Sequence, residues 1–225
     1  MDRKVPRRHI ARFAAAVLVA PSALASTPVP LAFAEPCPDA EIVFARGTNE
    51  PPGVGGFGQD FVDALRAKMG TKSLGVYPVN YPATTAFVTA LDGIDDASAH
   101  IQRTAAACPK TKMVLGGFSQ GAAVMGFVTA NAIPDGAPEG VPNPMPAEAA
   151  NHVAAVALFG KPSAQFMRSI NQPPITIGPL YADKTIELCT ADDPVCSDGG
   201  DWAAHNAYSD DGMIERAADF VISHL

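Results

Sequence analysis

Basic residues are scarce beyond the start of this sequence. Residues 35–225 contain 11 Lys and Arg against 22 Asp and Glu, a formal charge of −11. A protein that binds nucleic acid or anionic lipid through charge needs a positive surface to meet the phosphates. The composition therefore predicts no nucleic-acid partner and no charge-driven attraction to anionic membranes.

The sequence also lacks an apolar run of the length that spans a bilayer. The stretch "FAAAVLVAPSALA" (13–25) is shorter than the roughly 20 residues that a membrane helix needs, and Pro21 interrupts it. Five basic residues precede it, four of them within residues 3–8, and small-x-small cleavage sites follow, ending at Ala25 and Ala34. This order is typical of an export signal. We predict a signal peptide over 1–34, cleaved after Ala34 with Ala25 as the alternative, and no stable membrane insertion.

We therefore expect a secreted protein, either extracellular or associated with the cell wall. The paired arginine in "PRRHIARF" lacks the rest of a twin-arginine motif, so the general and the twin-arginine export routes both fit the sequence.

Only four cysteines occur, and no two form a CxxC pair with a histidine nearby. That spacing disfavours zinc. An even number in an exported chain indicates disulfides, although four cysteines allow three connectivities. We favour Cys189–Cys196, which closes a short local loop, and Cys37–Cys108, which ties the start of residues 35–225 to a helix end. No metal or organic cofactor is expected.

No internal repeat is found, and 35–225 has the size of a single domain. Its one biased segment, "IPDGAPEGVPNPMPAE" (133–148), predicts a surface loop. Buried strands are predicted at 41–45, 113–117, 153–160 and 185–189, with a weaker fifth at 74–81.

Helical spacing of apolar residues alternates with these strands. It covers 57–65 and 87–101, for which Thr84 is the expected N-cap, and composition adds helices at 120–130 and 212–225. Continuously apolar strands alternating with helices are typical of a mostly parallel sheet covered on both faces. The fold class is predicted to be α/β.

The segment "MVLGGFSQGAAV" (113–124) places Ser119 between Gly117 and Gly121, after a predicted strand and before a predicted helix. A nucleophile elbow needs this arrangement, because its strained turn tolerates only small residues two positions before and after the serine. The helix that follows points its N-terminal N–H groups at the position of an oxyanion. An ordinary glycine-rich turn has the same pattern, so the serine requires partners elsewhere.

A serine hydroxyl needs a basic histidine and an orienting carboxylate, in the chain order serine, acid, histidine for this kind of fold. His205, in a loop before the last helix, satisfies the order. The other histidines lie in the signal, in a helix before Ser119, on the wrong side of a strand or at the chain end: His9, His100, His152 and His224. The acid is expected in the loop that Cys189–Cys196 would close, where spacing leaves both Asp192 and Asp193 open.

Four motifs together resemble the cutinase family of secreted serine esterases, in particular its mycobacterial and related actinobacterial members. They are "VFARGTNEPPG", "GGFSQG", "CTADDPVC" and "WAAHNAY", and the likeness covers nearly all of 37–225. The resemblance implies a lidless α/β-hydrolase, a three-layer sandwich around five mostly parallel strands. It implies Ser119 as nucleophile, His205 as base, Asp193 as the acid, and the same two disulfides.

The family's oxyanion hole corresponds here to the backbone N–H groups of Thr48 and Gln120, with the Thr48 hydroxyl as a further donor.

The sequence departs from fungal members at 197–202, where only Trp202 is large and apolar, and in the long 133–148 loop. These departures favour esters of short-to-medium acyl chains, including lipids, over bulky polyester. We expect a monomer acting on an ester or lipid. The alternatives are an acyltransferase on the same scaffold and a non-catalytic surface-binding protein.

Overall fold

The computed structural model describes Met1 and residues 36–225. The predicted signal peptide, apart from Met1, lies outside the described residues. In 36–225 no helix has the length and apolar character needed to cross a membrane.

In residues 36–225, five strands form one sheet in the order β2-β1-β3-β4-β5, and every neighbouring pair is parallel. The strands are β1 (Ala40–Ala45), β2 (Leu74–Pro78), β3 (Lys112–Phe118), β4 (Val153–Phe159) and β5 (Thr185–Leu188). All five predicted strands are confirmed, and the sheet is wholly rather than mostly parallel. The weaker prediction at 74–81 was too long, since the strand ends at Pro78.

Residues 36–225 also contain six α-helices and three short 3₁₀ turns, which lie between the strands or after the last one. The helices are α1 (Gly55–Met69), α2 (Ala90–Ala107), α3 (Gln120–Val128), α4 (Ala164–Ser169), α5 (Pro179–Ala182) and α6 (Met213–Ile222). The 3₁₀ turns are Phe87–Thr89, Ala147–His152 and Ala204–Asn206. Of these, α1, α2, α3 and α6 confirm predicted helices, whereas α4 and α5 are too short to show a periodic pattern.

Alternate residues of each strand face opposite helix layers, because side chains along a strand point to the two faces in turn. On one face Val43, Leu115 and Val156 pack against α2 and α3. On the other face Phe44 and Val114 pack against α1 and α6. The result is the three-layer α/β-hydrolase sandwich that the resemblance implied.

Thr84 is not a helix N-cap. Helix α2 begins only at Ala90, with Thr89 at the N-cap, because the Phe87–Thr89 turn intervenes. The Thr84 hydroxyl instead accepts a hydrogen bond from the Ala86 N–H at 3.3 Å and lies 3.3 Å from the Thr89 hydroxyl. Apolar spacing placed the helix correctly but could not show where its regular hydrogen bonding begins.

All four cysteines are paired as expected, Cys37 with Cys108 and Cys189 with Cys196. The first bridge joins the segment before β1 to the end of α2. The second closes the loop after β5. Since every cysteine is in a disulfide, no cysteine thiolate is left to bind zinc, and a zinc site built from the cysteines is excluded.

Candidate active site

Ser119 occupies the turn between β3 and α3 with φ 55° and ψ −117°, a conformation that L-residues rarely adopt. A Cβ added to Gly117 would overlap the backbone of Gly121, and one added to Gly121 would overlap the Ala45 carbonyl. Both glycines are therefore required for β3, α3 and β1 to approach this closely. The predicted elbow is present, and Ser119 is half-buried at the carboxyl edge of the sheet.

His205 lies beside the serine, although the two are 86 residues apart. Its Nε2 is 2.9 Å from the Ser119 Oγ. The imidazole ring stacks on Phe118, with ring centroids 5.0 Å apart, and meets the edge of Trp202 at 5.9 Å. A side chain at Gly160, after β4, would press against this ring. The histidine is thus held on several sides by rigid groups.

Asp193 holds the other side of the imidazole. Its Oδ2 is 2.8 Å from His205 Nδ1, and its Oδ1 accepts a hydrogen bond from the Val195 N–H at 2.8 Å. The Asp193 side chain is fully buried, inside the loop that Cys189–Cys196 closes. Asp192 is exposed and has a left-handed backbone at φ 64°. The structure therefore brings Asp193, and not its neighbour, to the histidine.

Tyr208 is a member of this network that the sequence did not identify. Its hydroxyl donates a 2.6 Å hydrogen bond to Asp193 Oδ2 and accepts one from the Thr190 N–H at 3.3 Å. Burial, reinforced by the hydrogen bond to Asp193, raises the pKa of Tyr208 above its ordinary value. The hydroxyl consequently keeps its proton and remains a donor. The motif "WAAHNAY" contained this tyrosine, but nothing in its spacing showed that it faces the carboxylate.

The resemblance assigns the oxyanion hole to the backbone N–H groups of Thr48 and Gln120, and both residues line the cleft that contains Ser119. Thr48 follows β1 and lines the same cleft as Ser119. Gln120 is the first residue of α3, where a backbone N–H has no partner within the helix. The Gln120 side chain is buried, and its Nε2 donates to the Thr84 carbonyl at 2.9 Å. That bond ties α3 to the segment that forms the opposite side of the cleft.

Glu50 holds the loop that carries Thr48. One carboxylate oxygen accepts the Gly47 N–H at 2.6 Å and the other accepts the Gly56 N–H at 2.7 Å. The buried Arg46 side chain donates to the Glu50 carbonyl at 3.0 Å and to the Tyr81 carbonyl at 2.6 Å. Thr48 therefore lies between Gly47 and Glu50, whose backbone groups are both held by hydrogen bonds. No sequence motif indicated this role for Glu50, since its carboxylate binds backbone N–H groups, which every residue type except proline supplies.

The cleft around Ser119 has a volume of about 710 Å³. Apolar side chains from separate segments line it: Phe57, Phe87, Phe118, Phe166, Ile170 and Trp202. The lining of the cleft is thus largely apolar, although 197–202 contributes only Trp202 to it. Residues 57, 87, 166 and 170 supply an apolar wall that is remote in sequence from the histidine.

The remaining histidines have other surroundings. His100 in α2 stacks on Tyr77, with ring centroids 3.4 Å apart, and contacts a carboxylate oxygen of Glu41 at 3.0 Å. His152 precedes β4 at the amino end of the sheet, and His224 contacts the Phe220 carbonyl at 2.8 Å. Of the histidines in 36–225, only His205 is recorded in contact with Ser119.

Comparisons with known proteins identify the family to which the chain is similar. A family model described as Cutinase matches residues 36–225. The chain is 67% identical over 171 residues to "Probable carboxylesterase Culp5" of Mycobacterium tuberculosis, covering 76% of this chain and 98% of the relative. It is 50% identical over 223 residues to "Phospholipase Culp4" of the same species, covering 99% and 92%.

A solved structure is similar throughout most of the fold. Trichoderma reesei cutinase in complex with a C11Y4 phosphonate inhibitor superposes with a TM-score of 0.65 at 32% identity, covering 84% of this chain and 77% of that one.

Proposed function

The chain belongs to the cutinase family and is a carboxylic ester hydrolase, and on this basis we propose that it cleaves esters of short-to-medium acyl chains through a Ser119–His205–Asp193 triad and a covalent acyl-enzyme. The observation that carries the proposal is the continuous hydrogen-bond chain from Ser119 Oγ through both imidazole nitrogens to a fully buried carboxylate. A serine becomes a competent nucleophile when such a base and orienting acid accompany it.

In the first half-reaction, Ser119 Oγ attacks the ester carbonyl carbon while its proton passes to His205 Nε2. The Asp193 carboxylate stabilises the imidazolium that forms. The carbonyl oxygen becomes an oxyanion, which accepts hydrogen bonds from the backbone N–H groups of Thr48 and Gln120, with the Thr48 hydroxyl as a third donor. The bond to the alcohol then breaks, and His205 gives its proton to the leaving oxygen.

In the second half-reaction, a water molecule gives a proton to His205 Nε2 and attacks the acyl carbonyl. The bond to Ser119 breaks, the serine recovers the proton, and the carboxylic acid leaves. The proposed steps need only these residues, the ester and water. The relative named a phospholipase extends the class of candidate substrates to phospholipid esters.

The test is turnover of p-nitrophenyl butyrate by purified protein and by Ser119→Ala. We expect the variant to fold and to lose at least about 10³-fold in kcat, because the residual catalysis by the oxyanion donors alone is small. Turnover by the variant comparable to that of the unaltered protein would remove the serine from the mechanism.

Added alcohol acceptors separate hydrolysis from acyl transfer, since a transferase yields a new ester in place of the acid.

We also propose that the protein is exported, as a monomer, after loss of residues 1–34. Two disulfides support export, because such bonds persist in oxidising compartments. Mass spectrometry of the protein from culture fluid is expected to show an N-terminus at Glu35. A start at Ser26 would instead identify Ala25 as the cleavage site.

A further inference from the structure

Trp202, the only tryptophan of the sequence, lines the catalytic cleft and is nevertheless 59% exposed. Its ring is nearly perpendicular to the His205 imidazole, at 87°, and the two ring centroids are 5.9 Å apart. Tryptophan is highly buried on average in folded proteins, so an exposed one beside reacting groups is informative. The indole presents a broad apolar surface at the mouth of the cleft, next to the imidazole.

Local hydrogen bonds hold the turn that carries this indole. The Asp201 Oδ1 accepts the Ala203 N–H at 2.8 Å, and the Asp201 carbonyl accepts the Ala204 N–H at 3.1 Å. The Asn206 Nδ2 donates to the Trp202 carbonyl at 3.1 Å. That bond uses the amide nitrogen, and within residues 36–225 no protein group donates to the Asn206 Oδ1. A fixed apolar surface and an open hydrogen-bond acceptor therefore line the cleft side by side.

The reaction places the alcohol part of the ester, rather than the acyl part, beside this surface. His205 Nε2 gives its proton to the leaving oxygen, so that oxygen must lie within hydrogen-bond distance of the imidazole. The acyl chain is attached to the other side of the carbonyl carbon and extends away from the leaving oxygen. Because Trp202 and Asn206 flank the imidazole, they are the residues that an alcohol of more than a few atoms meets.

The surroundings of the indole are acidic. Between Lys184 and Arg216 the sequence contains eight Asp and Glu and no Lys or Arg. Asp192 and Asp201 are both exposed, and the Asp201 N–H donates to the Asp192 carbonyl at 3.0 Å, so the two lie together next to Trp202. Exposed charges act over about 8 Å at physiological salt, so a phosphate on the alcohol would be repelled here. Hydroxyl groups, in contrast, donate hydrogen bonds to carboxylate and amide oxygens.

We propose that Trp202 and Asn206 form a subsite for the alcohol part of the ester, and that this alcohol is a neutral sugar. The inference rests on the proposed function. A pyranose ring has a face of C–H groups that stacks on an indole, and a rim of hydroxyls that donate to the Asn206 Oδ1. Among the candidate substrates, the subsite therefore favours sugar esters over phospholipid esters. An aliphatic alcohol has no hydroxyl rim, and glycerol has no ring to stack.

Two esters of the same acid provide the kinetic test: a methyl glucopyranoside with butyrate on its 6-hydroxyl, and ethyl butyrate. Both release butyric acid, which is titrated at constant pH, and the measured quantity is the ratio of kcat/KM for the sugar ester to that for ethyl butyrate. Loss of ring stacking and of its buried area is expected to lower this ratio at least about tenfold in Trp202→Ala. Trp202→Phe should keep most of it. Val88→Ala is the matched control, because Val88 is 58% exposed and lies outside the lining of this cleft.

The ratio separates sugar binding from support of the imidazole, because both esters need the same His205. Asn206→Ala is expected to lower the ratio about two- to tenfold, the effect of one lost hydrogen bond. An unchanged ratio in Trp202→Ala overturns the subsite. Equal loss on both esters also overturns it, since the indole would then act only on the placement of His205.

Fluorescence makes the result independent of turnover, because all tryptophan emission comes from Trp202. Ser119→Ala is titrated with the sugar ester, and a saturable change in emission is expected. No change up to the solubility limit overturns the subsite. A blue shift with phosphatidylcholine vesicles but not with the sugar ester also overturns it, by showing that the indole contacts lipid. If the unaltered protein hydrolyses neither ester, the proposed function fails, and the emission titration alone then decides the subsite.

Discussion

The Tyr208 hydroxyl donates a 2.6 Å hydrogen bond to Asp193 Oδ2, the same oxygen that lies 2.8 Å from His205 Nδ1. With the Val195 N–H on the other oxygen, the buried carboxylate has three donors. A buried carboxylate is costly unless it is hydrogen-bonded, and several donors also fix its orientation. Tyr208 therefore positions the acid of the proposed triad.

Tyr208→Phe is expected to lower kcat on p-nitrophenyl butyrate by about tenfold and to lower the free energy of unfolding by about 1.5–3 kcal/mol. The change removes a hydrogen bond to a charged group without removing the ring. Kinetics and urea denaturation measure the two effects. Tyr181→Phe, in a buried tyrosine on the opposite face of the sheet, serves as the control and should leave kcat unchanged. A normal kcat in Tyr208→Phe would show that the carboxylate needs no third donor.

The four tyrosines are expected to make the folded protein less stable as the pH rises above 10. The pKa of every one of the four tyrosines is raised, chiefly by burial, and that of Tyr181 reaches about 12. A raised pKa in the folded state means that the stabilisation is complete below the ordinary value of 10.0 and is lost as the pH rises above it. We expect absorbance at 295 nm to show almost no tyrosinate in the folded protein at pH 10, and the melting temperature to fall from pH 10 to 12. Tyrosinate formation near pH 10 with no change in melting temperature would contradict this.

Glu50 provides a second positioning prediction. Glu50→Ala frees the Gly47 and Gly56 N–H groups, and Glu50→Gln places an amide donor against one of them. Both variants are expected to lose about 10- to 100-fold in kcat with KM changed less than twofold, because a displaced Thr48 no longer reaches the oxyanion. Glu139→Gln removes an equivalent charge from an exposed loop position and is the control.

Active-site titration is needed for the Glu50 variants, so that kcat refers to folded enzyme only. If the Glu50 carboxylate acted mainly through its charge, both variants would have a higher kcat than the unaltered protein, because a negative charge near a developing oxyanion opposes catalysis. A rise in kcat, or a normal kcat per titrated site, would refute the positioning role.

The two disulfides are expected to have different effects. Serine replacement of both Cys189 and Cys196 removes a bridge across seven residues of sequence separation, worth about 2.5 kcal/mol, and loosens the loop that holds Asp193. Replacement of Cys37 and Cys108 opens a separation of 71 residues, worth about 4 kcal/mol, at the amino end of the sheet.

The short bridge should therefore matter more to kcat and the long bridge more to the free energy of unfolding. Denaturant unfolding and titrated kcat distinguish them. Equal loss of kcat in the two double variants would show that the short bridge has no special part in orienting the acid.

The sheet and the serine turn could be predicted because their causes are local in sequence. Apolar runs mark buried strands, and Gly117 and Gly121 mark a close approach of backbones around Ser119. Chain order selected His205, although no local pattern distinguishes its loop. The choice between Asp192 and Asp193 needed the family resemblance, since adjacent residues in an irregular loop can face either way.

Tyr208 and Glu50 escaped prediction for a different reason. Tyr208 meets an oxygen 15 residues away in sequence, and Glu50 binds N–H groups that any residue type supplies. The apolar lining of the cleft was not predicted either, because Phe87 reaches it from the 3₁₀ turn before α2, and Phe166 and Ile170 reach it from α4 and its C-cap. Contacts between residues that are far apart in sequence depend on the paths of the loops at the edge of the sheet, and local sequence patterns do not determine those paths.

Mapping of a fluorophosphonate adduct tests the central claim most directly. The intact protein is labelled, digested and analysed by mass spectrometry, in parallel with His205→Ala. We predict one adduct, on Ser119, forming at least about 100-fold more slowly without the imidazole that accepts its proton. An adduct on another serine, or labelling at the same rate in His205→Ala, would contradict the account.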